Sequence, residues 1–186
     1  MPQMVGFDRY LCCLIGTCLF VWGVLGCRPA YADATSNEQA LTVAFLYNFL
    51  KFTEWPAGSI KNEITLCVSD SSAFGDELEA ISGRSVQNKS VRIKHLGFGE
   101  KLDACQLLFL PREEKPERTR EWLKNSERIP TLLVSNLDDF LDMGGMIALI
   151  DDGNRLQFEV NLARTKLVGL KLSAQLLKIA KDVRGN

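Results

Sequence analysis

The chain has 186 residues, with 22 Lys and Arg against 23 Asp and Glu and a formal net charge of −1. Such a balance lacks the basic surface that nucleic acid or an anionic membrane requires, so neither is expected as a partner. With 46% hydrophobic residues, a chain of this length can bury the core of one domain.

Residues 1–32 have the layout of a secretory signal peptide. Arg9 precedes an apolar run over residues 10–26, and Ala-Tyr-Ala at residues 30–32 supplies the small-residue pattern at which signal peptidase cuts. The run is shorter than the roughly 20 apolar residues that span a bilayer, which favours a cleaved signal over an uncleaved anchor. We therefore expect export and a mature domain over residues 33–186.

A second processing site competes with the first. The tetrapeptide VLGC at residues 24–27 has the small-residue-then-Cys form of a lipoprotein signal, in which Cys27 is lipidated. The triplet at residues 30–32, followed by Asp33, favours the ordinary peptidase. Both routes export the protein, so only its attachment to a membrane depends on this choice.

The cysteines beyond the signal region are Cys67 and Cys105. Disulfides form and persist in oxidising compartments outside the cytoplasm. If the signal is removed on export, these two are the cysteines left in the mature chain. We therefore predict that they form one disulfide.

The first half of the mature chain alternates predicted helices and strands. Apolar residues at spacings of three and four indicate helices, whereas nearly continuous apolar runs between turn formers indicate strands buried on both faces. In chain order these are a helix over residues 38–52 that ends before Pro56, a strand over 64–69, a helix over 72–81, an alternating strand over 91–96 and a strand over 105–110.

The second half adds a hairpin. The turn at residues 151–154 contains Asp-Gly, a strong hairpin signal. The predicted elements are an exposed helix over 113–125, a strand over 131–134, a short helix over 137–141, strands over 146–150 and 156–160, and a helix over 162–183 that Gly169 divides or leaves whole. Their order predicts an α/β fold, an open and mostly parallel sheet flanked by helices on both faces, with an antiparallel hairpin at one edge.

Several segments resemble one family. VAFLYNFLKFTEWP at residues 43–56 resembles the opening signature of the YfiR/HmsC-like family, and the similarity covers nearly the whole mature chain. It continues through ITLCV at 64–68, CQLLF at 105–109, GGMI at 144–147, FEVN at 158–161 and GLKLSAQLL at 169–177.

The resemblance implies a function. It implies a periplasmic protein without enzymatic activity or cofactor, which binds the periplasmic sensory domain of an inner-membrane diguanylate cyclase. Holding that enzyme inactive lowers cyclic di-GMP and biofilm formation. Whether the protein also forms a homodimer stays open.

The chain departs from the best-known family members in its cysteines. They carry two intramolecular disulfides, and here Met143 and Ala148 stand about where the second pair is expected. Redox state influences release of the partner in the family. In this chain any such dependence must run through Cys67 and Cys105 alone, or be absent.

The sequence offers little for catalysis or for a metal. His95 is the single histidine and lies on an alternating strand. Asp138, Asp139 and Asp142 are more typical of a solvated capping face than of a cation site. No His or Cys cluster has metal-ligand spacing. We therefore expect a protein that is not an enzyme and holds no metal.

Four residues are candidates for binding. Trp55 either packs on the sheet or exposes an aromatic edge for a partner, and Glu159 either is a solvated charge that protects a sheet edge or contacts a partner. The resemblance makes the face of Ile147, Glu159 and the start of the last helix the candidate partner surface. Lys171 is either a contact for an anionic small ligand or a plain surface lysine.

A second hypothesis assigns the domain to a different functional class. In this hypothesis the domain is a periplasmic small-ligand-binding module that senses a metabolite and acts on a membrane sensor kinase or a transporter. The first function predicts a stable complex with a periplasmic sensor domain. The second predicts a ligand-dependent shift in melting temperature with no partner present.

Overall fold

The computed structural model describes residues 31–69, 74, 76–97, 99–153 and 155–185, with the side chains of 31–36 left out. The predicted signal peptide lies outside these residues except at Tyr31 and Ala32, and the lipidation site at Cys27 lies outside them as well. From Thr35 onward the chain forms one compact unit, and the elements below are described within it.

The described elements alternate in the way the sequence indicates. The helices are α1 (Tyr31–Phe52), α2 (Asp76–Glu79), α3 (Pro116–Asn125), α4 (Leu162–Leu167) and α5 (Ala174–Ile179). The strands are β1 (Thr53–Glu54), β2 (Glu63–Ser69), β3 (Ser85–Val86), β4 (Lys89–Leu96), β5 (Leu107–Leu110), β6 (Leu132–Ser135), β7 (Ile147–Asp151), β8 (Leu156–Asn161), β9 (Lys171–Leu172) and β10 (Asp182–Arg184).

The main sheet has eight strands in the order β10-β8-β7-β6-β5-β2-β4-β3. Strands β4, β2, β5, β6 and β7 are parallel to their neighbours in this series. β8 is antiparallel to β7, and β3 is antiparallel to β4. The predicted open, mostly parallel α/β sheet with an antiparallel hairpin is confirmed.

Helices cover both faces of this sheet. The chain leaves β2 through α2 towards β4 on one side, and leaves β5 through α3 towards β6 on the other. Because such crossovers are right-handed, opposite directions of travel place the two helices on opposite faces. Leu78 of α2 and Trp122 of α3 are both buried, so each helix contributes an apolar side chain to the core.

Helix α1 packs on the hairpin of β7 and β8. The ring of Phe158 in β8 lies 5.1 Å from that of Phe49 and 5.8 Å from that of Phe45, both edge-on. Residues directly opposite in β7 and β8 share a face, so Leu149, opposite Phe158, faces α1 as well. Glu159 and Ala148 point to the other face.

Gly169 divides the region from residue 162 to 183, which is one of the two arrangements expected, but the two helices are short and β9 and part of β10 lie in the same region. Asn161 caps α4 by accepting a hydrogen bond from the Arg164 N–H, and Ser173 caps α5 in the same way. Between them Gly169 has a φ of +77°, which ends α4. The chain then forms β9 against β1 and, after α5, β10 against β8.

Two other predicted helices differ in the structure. Residues 138–144 form consecutive turns rather than a helix over 137–141, with Asp139 at a φ of +55° and Phe140 packed so close to Gly145 that a Cβ there would meet its ring. The helix predicted over residues 113–125 begins at Pro116, and it is not simply exposed, because Trp122 and two other residues of α3 are buried.

A hairpin that the sequence analysis did not predict joins β3 to β4. Gln87 and Asn88 form its two-residue turn with φ values of +51° and +63°. The side-chain amide of Gln87 donates to the carbonyl oxygens of Thr53 at 2.8 Å and Leu50 at 3.3 Å. The turn therefore binds the carbonyl end of α1, where backbone acceptors lack helical partners.

Candidate functional site

Cys67 and Cys105 form a disulfide, as predicted. Cys67 lies in β2 and Cys105 just before the neighbouring strand β5, with their Cα atoms 5.7 Å apart. Cys67 is fully buried and Cys105 is 3% exposed. The bond therefore crosslinks the centre of the sheet from within the core, out of reach of a bulky reductant in the folded state.

Ile147 lies in the core and offers no surface. It is the first residue of β7, stands opposite Val160 of β8, and both are fully buried. Its face of the hairpin is the one that α1 covers. Ile147 therefore supports the hairpin from within the core, and its side chain presents no surface to a partner.

Glu159 is partly buried and its charge is paired. Its side chain is 15% exposed, with Oε2 3.3 Å from the guanidinium of Arg184 and Oε1 3.6 Å from Lys181 Nζ. Arg184 also lies 2.8 Å from Asp142 and 3.5 Å from Asp182. We call Asp142, Glu159, Lys181, Asp182 and Arg184 the β10 charge cluster.

The carboxylates of the cluster raise the pKa of Arg184. Burial alone lowers the pKa of Arg184, but the carboxylates of Asp142, Glu159 and Asp182 act in the other direction, and the net change raises this pKa. The cation on β10 therefore holds carboxylates from the turn before β7, from β8 and from its own strand. Glu159 is therefore not a solvated charge, because its carboxylate is paired with two cations of the same domain.

Trp55 is half-buried rather than presented as a free aromatic edge. It packs against the core, and its Nε1–H donates to the carbonyl oxygen of Gln106 at 3.0 Å. The Gln106 side chain in turn accepts from the Thr65 N–H at 2.7 Å and donates to the Ser59 carbonyl oxygen at 3.0 Å. This bonding fixes the loop between β1 and β2 onto the start of β5.

Lys171 lies on a separate small sheet. β9, which contains Lys171, pairs antiparallel with β1, and Lys171 stands opposite Glu54. Both side chains are exposed. Lys171 therefore stands opposite the residue that precedes Trp55. It belongs to a different sheet from Glu159 and the β10 charge cluster.

A cleft of about 390 Å³ lies over the face that carries Glu159. Ala148 and Ile150 of β7 form part of its floor, and Arg112, Asp139 and Arg184 lie at its rim. Arg112 follows β5 directly, and its backbone N–H donates to Asn136 Oδ1 after β6 at 2.7 Å. The cleft therefore adjoins the carboxyl ends of parallel strands, where open α/β sheets commonly bind ligands.

The acidic turn and the histidine show no metal geometry. Among the described residues, no group of three or more His, Cys, Asp or Glu side chains is placed to hold a metal ion. Asp142 is engaged with Arg184 instead. His95 lies exposed on β4, at the far side of the sheet from the cleft.

The sequence analysis missed Lys181 and Arg184 because the helix predicted over residues 162–183 includes Lys181 and stops one residue before Arg184, so the strand β10 was not predicted. A signal was available in the residues themselves. Val183 is a β-branched apolar residue between two charged residues, and Gly185 follows Arg184, which is typical of a short edge strand that ends in a turn. Glu159 finds its counter-charges on this strand.

The fold and these sites define a small α/β domain built on a disulfide-crosslinked mixed sheet, with charged surface clusters. Within the described ranges, no helix combines the length and hydropathy of a bilayer span. A family model described as YfiR/HmsC-like matches residues 39–181, and the chain therefore belongs to the YfiR/HmsC-like family. No curated protein matches the chain in a sequence search.

Family membership gives the general role. The YfiR/HmsC-like family is regulatory and periplasmic, and membership indicates a periplasmic regulator of diguanylate cyclase signalling. The match begins inside α1 and ends at Lys181. It therefore includes the disulfide, the cleft floor and Glu159, but not Arg184.

Proposed function

We propose that this protein represses an inner-membrane diguanylate cyclase by binding its periplasmic sensory domain. In the bound state the cyclase is inactive, so cyclic di-GMP and biofilm formation stay low. The observation that carries the proposal is the family match over residues 39–181, which spans most of the described domain. The protein then acts by binding and not by catalysis.

Export is part of the proposal. We propose that residues 1–32 are removed as a signal peptide and that the mature chain is periplasmic, with membrane attachment through Cys27 as the competing route. The crosslink between Cys67 and Cys105 supports an oxidising compartment. The β10 charge cluster, with Asp142 and Arg184 exposed beside Glu159, is kept as a proposed contact region.

The decisive experiment measures cyclic di-GMP in a deletion strain. Deleting the gene should raise cyclic di-GMP and surface attachment, and restoring it should reverse both. A strain that lacks both this gene and the cyclase should show no rise. A flat cyclic di-GMP level in the single deletion, with the cyclase present and expressed, contradicts the repressor function.

The cleft beside Glu159 favours the ligand sensor as a second candidate function. At about 390 Å³ it lies in the size range of small-molecule sites. In that case a small ligand should raise the melting temperature of the purified protein with no partner present. Lys171 does not line this cleft, so an anionic ligand at Lys171 would occupy a different place, near β1.

A further inference from the structure

The outer side of β4 is open over residues 92–96. β4 pairs with β2 along its length, whereas β3 pairs only with Lys89 and Ser90. The last backbone bonds on that side join Val91 to the loop at residues 83–84. Among the described residues no strand lies beyond, so the sheet ends there in an unpaired edge.

Val91 shows which backbone groups face this edge. Its N–H donates to the Arg84 carbonyl oxygen at 2.8 Å and its carbonyl oxygen accepts from the Gly83 N–H at 2.9 Å, so both groups point away from β2. Backbone groups alternate in direction along a strand. The N–H and carbonyl groups of Ile93 and His95 therefore point to the same open side, a template for a further strand.

The side chains along this edge are basic. β4 reads KSVRIKHL and contains no carboxylate. The Arg92 side chain is 65% exposed, and its 3.5 Å contact with Glu63 is a surface ion pair that another carboxylate can replace at little cost. Lys94 lies 2.7 Å from Glu100, whose side chain is 44% exposed. An incoming segment with acidic residues fits this pattern.

A second copy of the chain fits poorly. If two β4 edges pair antiparallel about a two-fold axis at Ile93, Arg92 of one copy stands opposite Lys94 of the other. Like charges directly opposite each other destabilise a strand pair. The other end of the sheet is also less suited, because β10 spans only Asp182–Arg184 and offers few backbone groups for a further strand.

We propose that the outer edge of β4 binds an extended, acidic segment of the cyclase's periplasmic sensory domain, which adds to the sheet as one more strand. This inference rests on the repressor function proposed above. Backbone hydrogen bonds to Ile93 and His95 provide affinity, and carboxylates opposite Arg92 and Lys94 fix the register.

Proline at an outward-facing position tests the backbone part. His95→Pro removes an outward N–H without touching the bonds between β4 and β2, and proline is tolerated on edge strands. His95→Ala is the matched control, since it loses the same imidazole and retains the N–H. In biolayer interferometry with the purified sensory domain, the proline variant should bind about tenfold or more weakly than the alanine variant.

Hydrogen exchange of the wild-type protein tests the same point without a substitution. The amides of Ile93 and His95 should exchange rapidly in the free protein and slowly in the complex. The amides of Arg92 and Lys94, which face β2, should be protected in both states. This readout decides the matter if His95→Pro fails to fold, as judged by its circular dichroism.

The outcomes separate the two proposals. If the wild-type protein does not bind the sensory domain, the repressor function fails and the docking edge fails with it. If the wild-type protein binds, but the Ile93 and His95 amides stay unprotected, the β4 edge is overturned and the repressor function stands. A tenfold loss in the proline variant together with protection of these amides supports both.

Discussion

The guanidinium of Arg184 lies 3.3 Å from Glu159 Oε2 and ties the short strand β10 to β8, its neighbour in the sheet. The same guanidinium reaches Asp142 at 2.8 Å. β10 has only three residues, so its parallel pairing with β8 provides few backbone bonds. The ion pairs of Glu159 are therefore part of what holds β10 in the sheet.

Charge reversal at Glu159 is expected to lower stability. Glu159→Lys removes the contacts with Arg184 and Lys181 and adds a third cation beside them, so the free energy of unfolding should fall by about 1 to 2 kcal/mol. Urea denaturation of both proteins measures this. Glu159→Gln, which keeps the shape and a hydrogen-bond acceptor, should lose less. Equal stability of wild type and Glu159→Lys would contradict the role of the cluster.

The crosslink between β2 and β5 should stabilise the fold more than the ion pairs of Glu159 do. Cys67 and Cys105 are separated by 38 positions, and closing a loop of that size stabilises a fold by about 4 kcal/mol on the chain-entropy model. Denaturation of the exported protein with and without reductant measures it. The control is the double variant Cys67→Ser with Cys105→Ser, in which reductant should change nothing. Two free thiols in the native protein would contradict the bond.

Acidic pH should weaken the contact that follows β4. The ammonium of Lys94 and the N–H of Gly97 both bond to the Glu100 carboxylate, and they hold its pKa below the ordinary value of 4.5. A carboxylate with a lowered folded-state pKa adds stability above pH 4.5 and loses it as the pH falls through the lowered pKa.

The test compares wild type with Glu100→Gln across that range. The wild type should be the more stable protein near pH 7, and the difference should shrink below pH 4.5 until it vanishes. A difference that does not depend on pH would mean that the carboxylate charge is not the cause.

Gln87 should stabilise the end of α1. Gln87→Ala removes the hydrogen bonds to the carbonyl oxygens of Leu50 and Thr53 and should cost about 1 to 2 kcal/mol of unfolding free energy. Gln87→Gly loses the same bonds but suits the positive φ of +51°, so it should be the more stable of the two variants. The reverse order of stability would show that the turn is not strained.

The central strands could be predicted from the sequence because their nearly continuous apolar composition is typical of buried strands. ITLCVS at residues 64–69 and LLFL in β5 are continuous apolar runs, and such runs occur where a strand is buried on both faces. The Asp-Gly turn likewise led to the pairing of β7 with β8. In these places local propensity and burial indicate the same structure.

The short edge elements could not be predicted in this way. β9 and β10 consist of a few residues each and form because β1 and β8 present open edges to them, a tertiary cause that no local pattern reports. The candidate site followed the same division. Glu159 was a candidate from the sequence, but its partner Arg184 follows the segment predicted as a helix, and the strand β10 that positions it was not predicted.

The last prediction sets the two proposed contact regions against each other in cells. In the deletion strain, re-expressed His95→Ala should restore low cyclic di-GMP more fully than His95→Pro, because only the proline variant lacks the outward N–H of β4. Glu159→Gln tests the β10 charge cluster in the same strain by removing one charge. The periplasmic levels of all variants are matched by immunoblot, so that a difference in folding or export is not mistaken for a loss of repression. High cyclic di-GMP with Glu159→Gln and low cyclic di-GMP with His95→Pro would move the contact from β4 to β8 and β10.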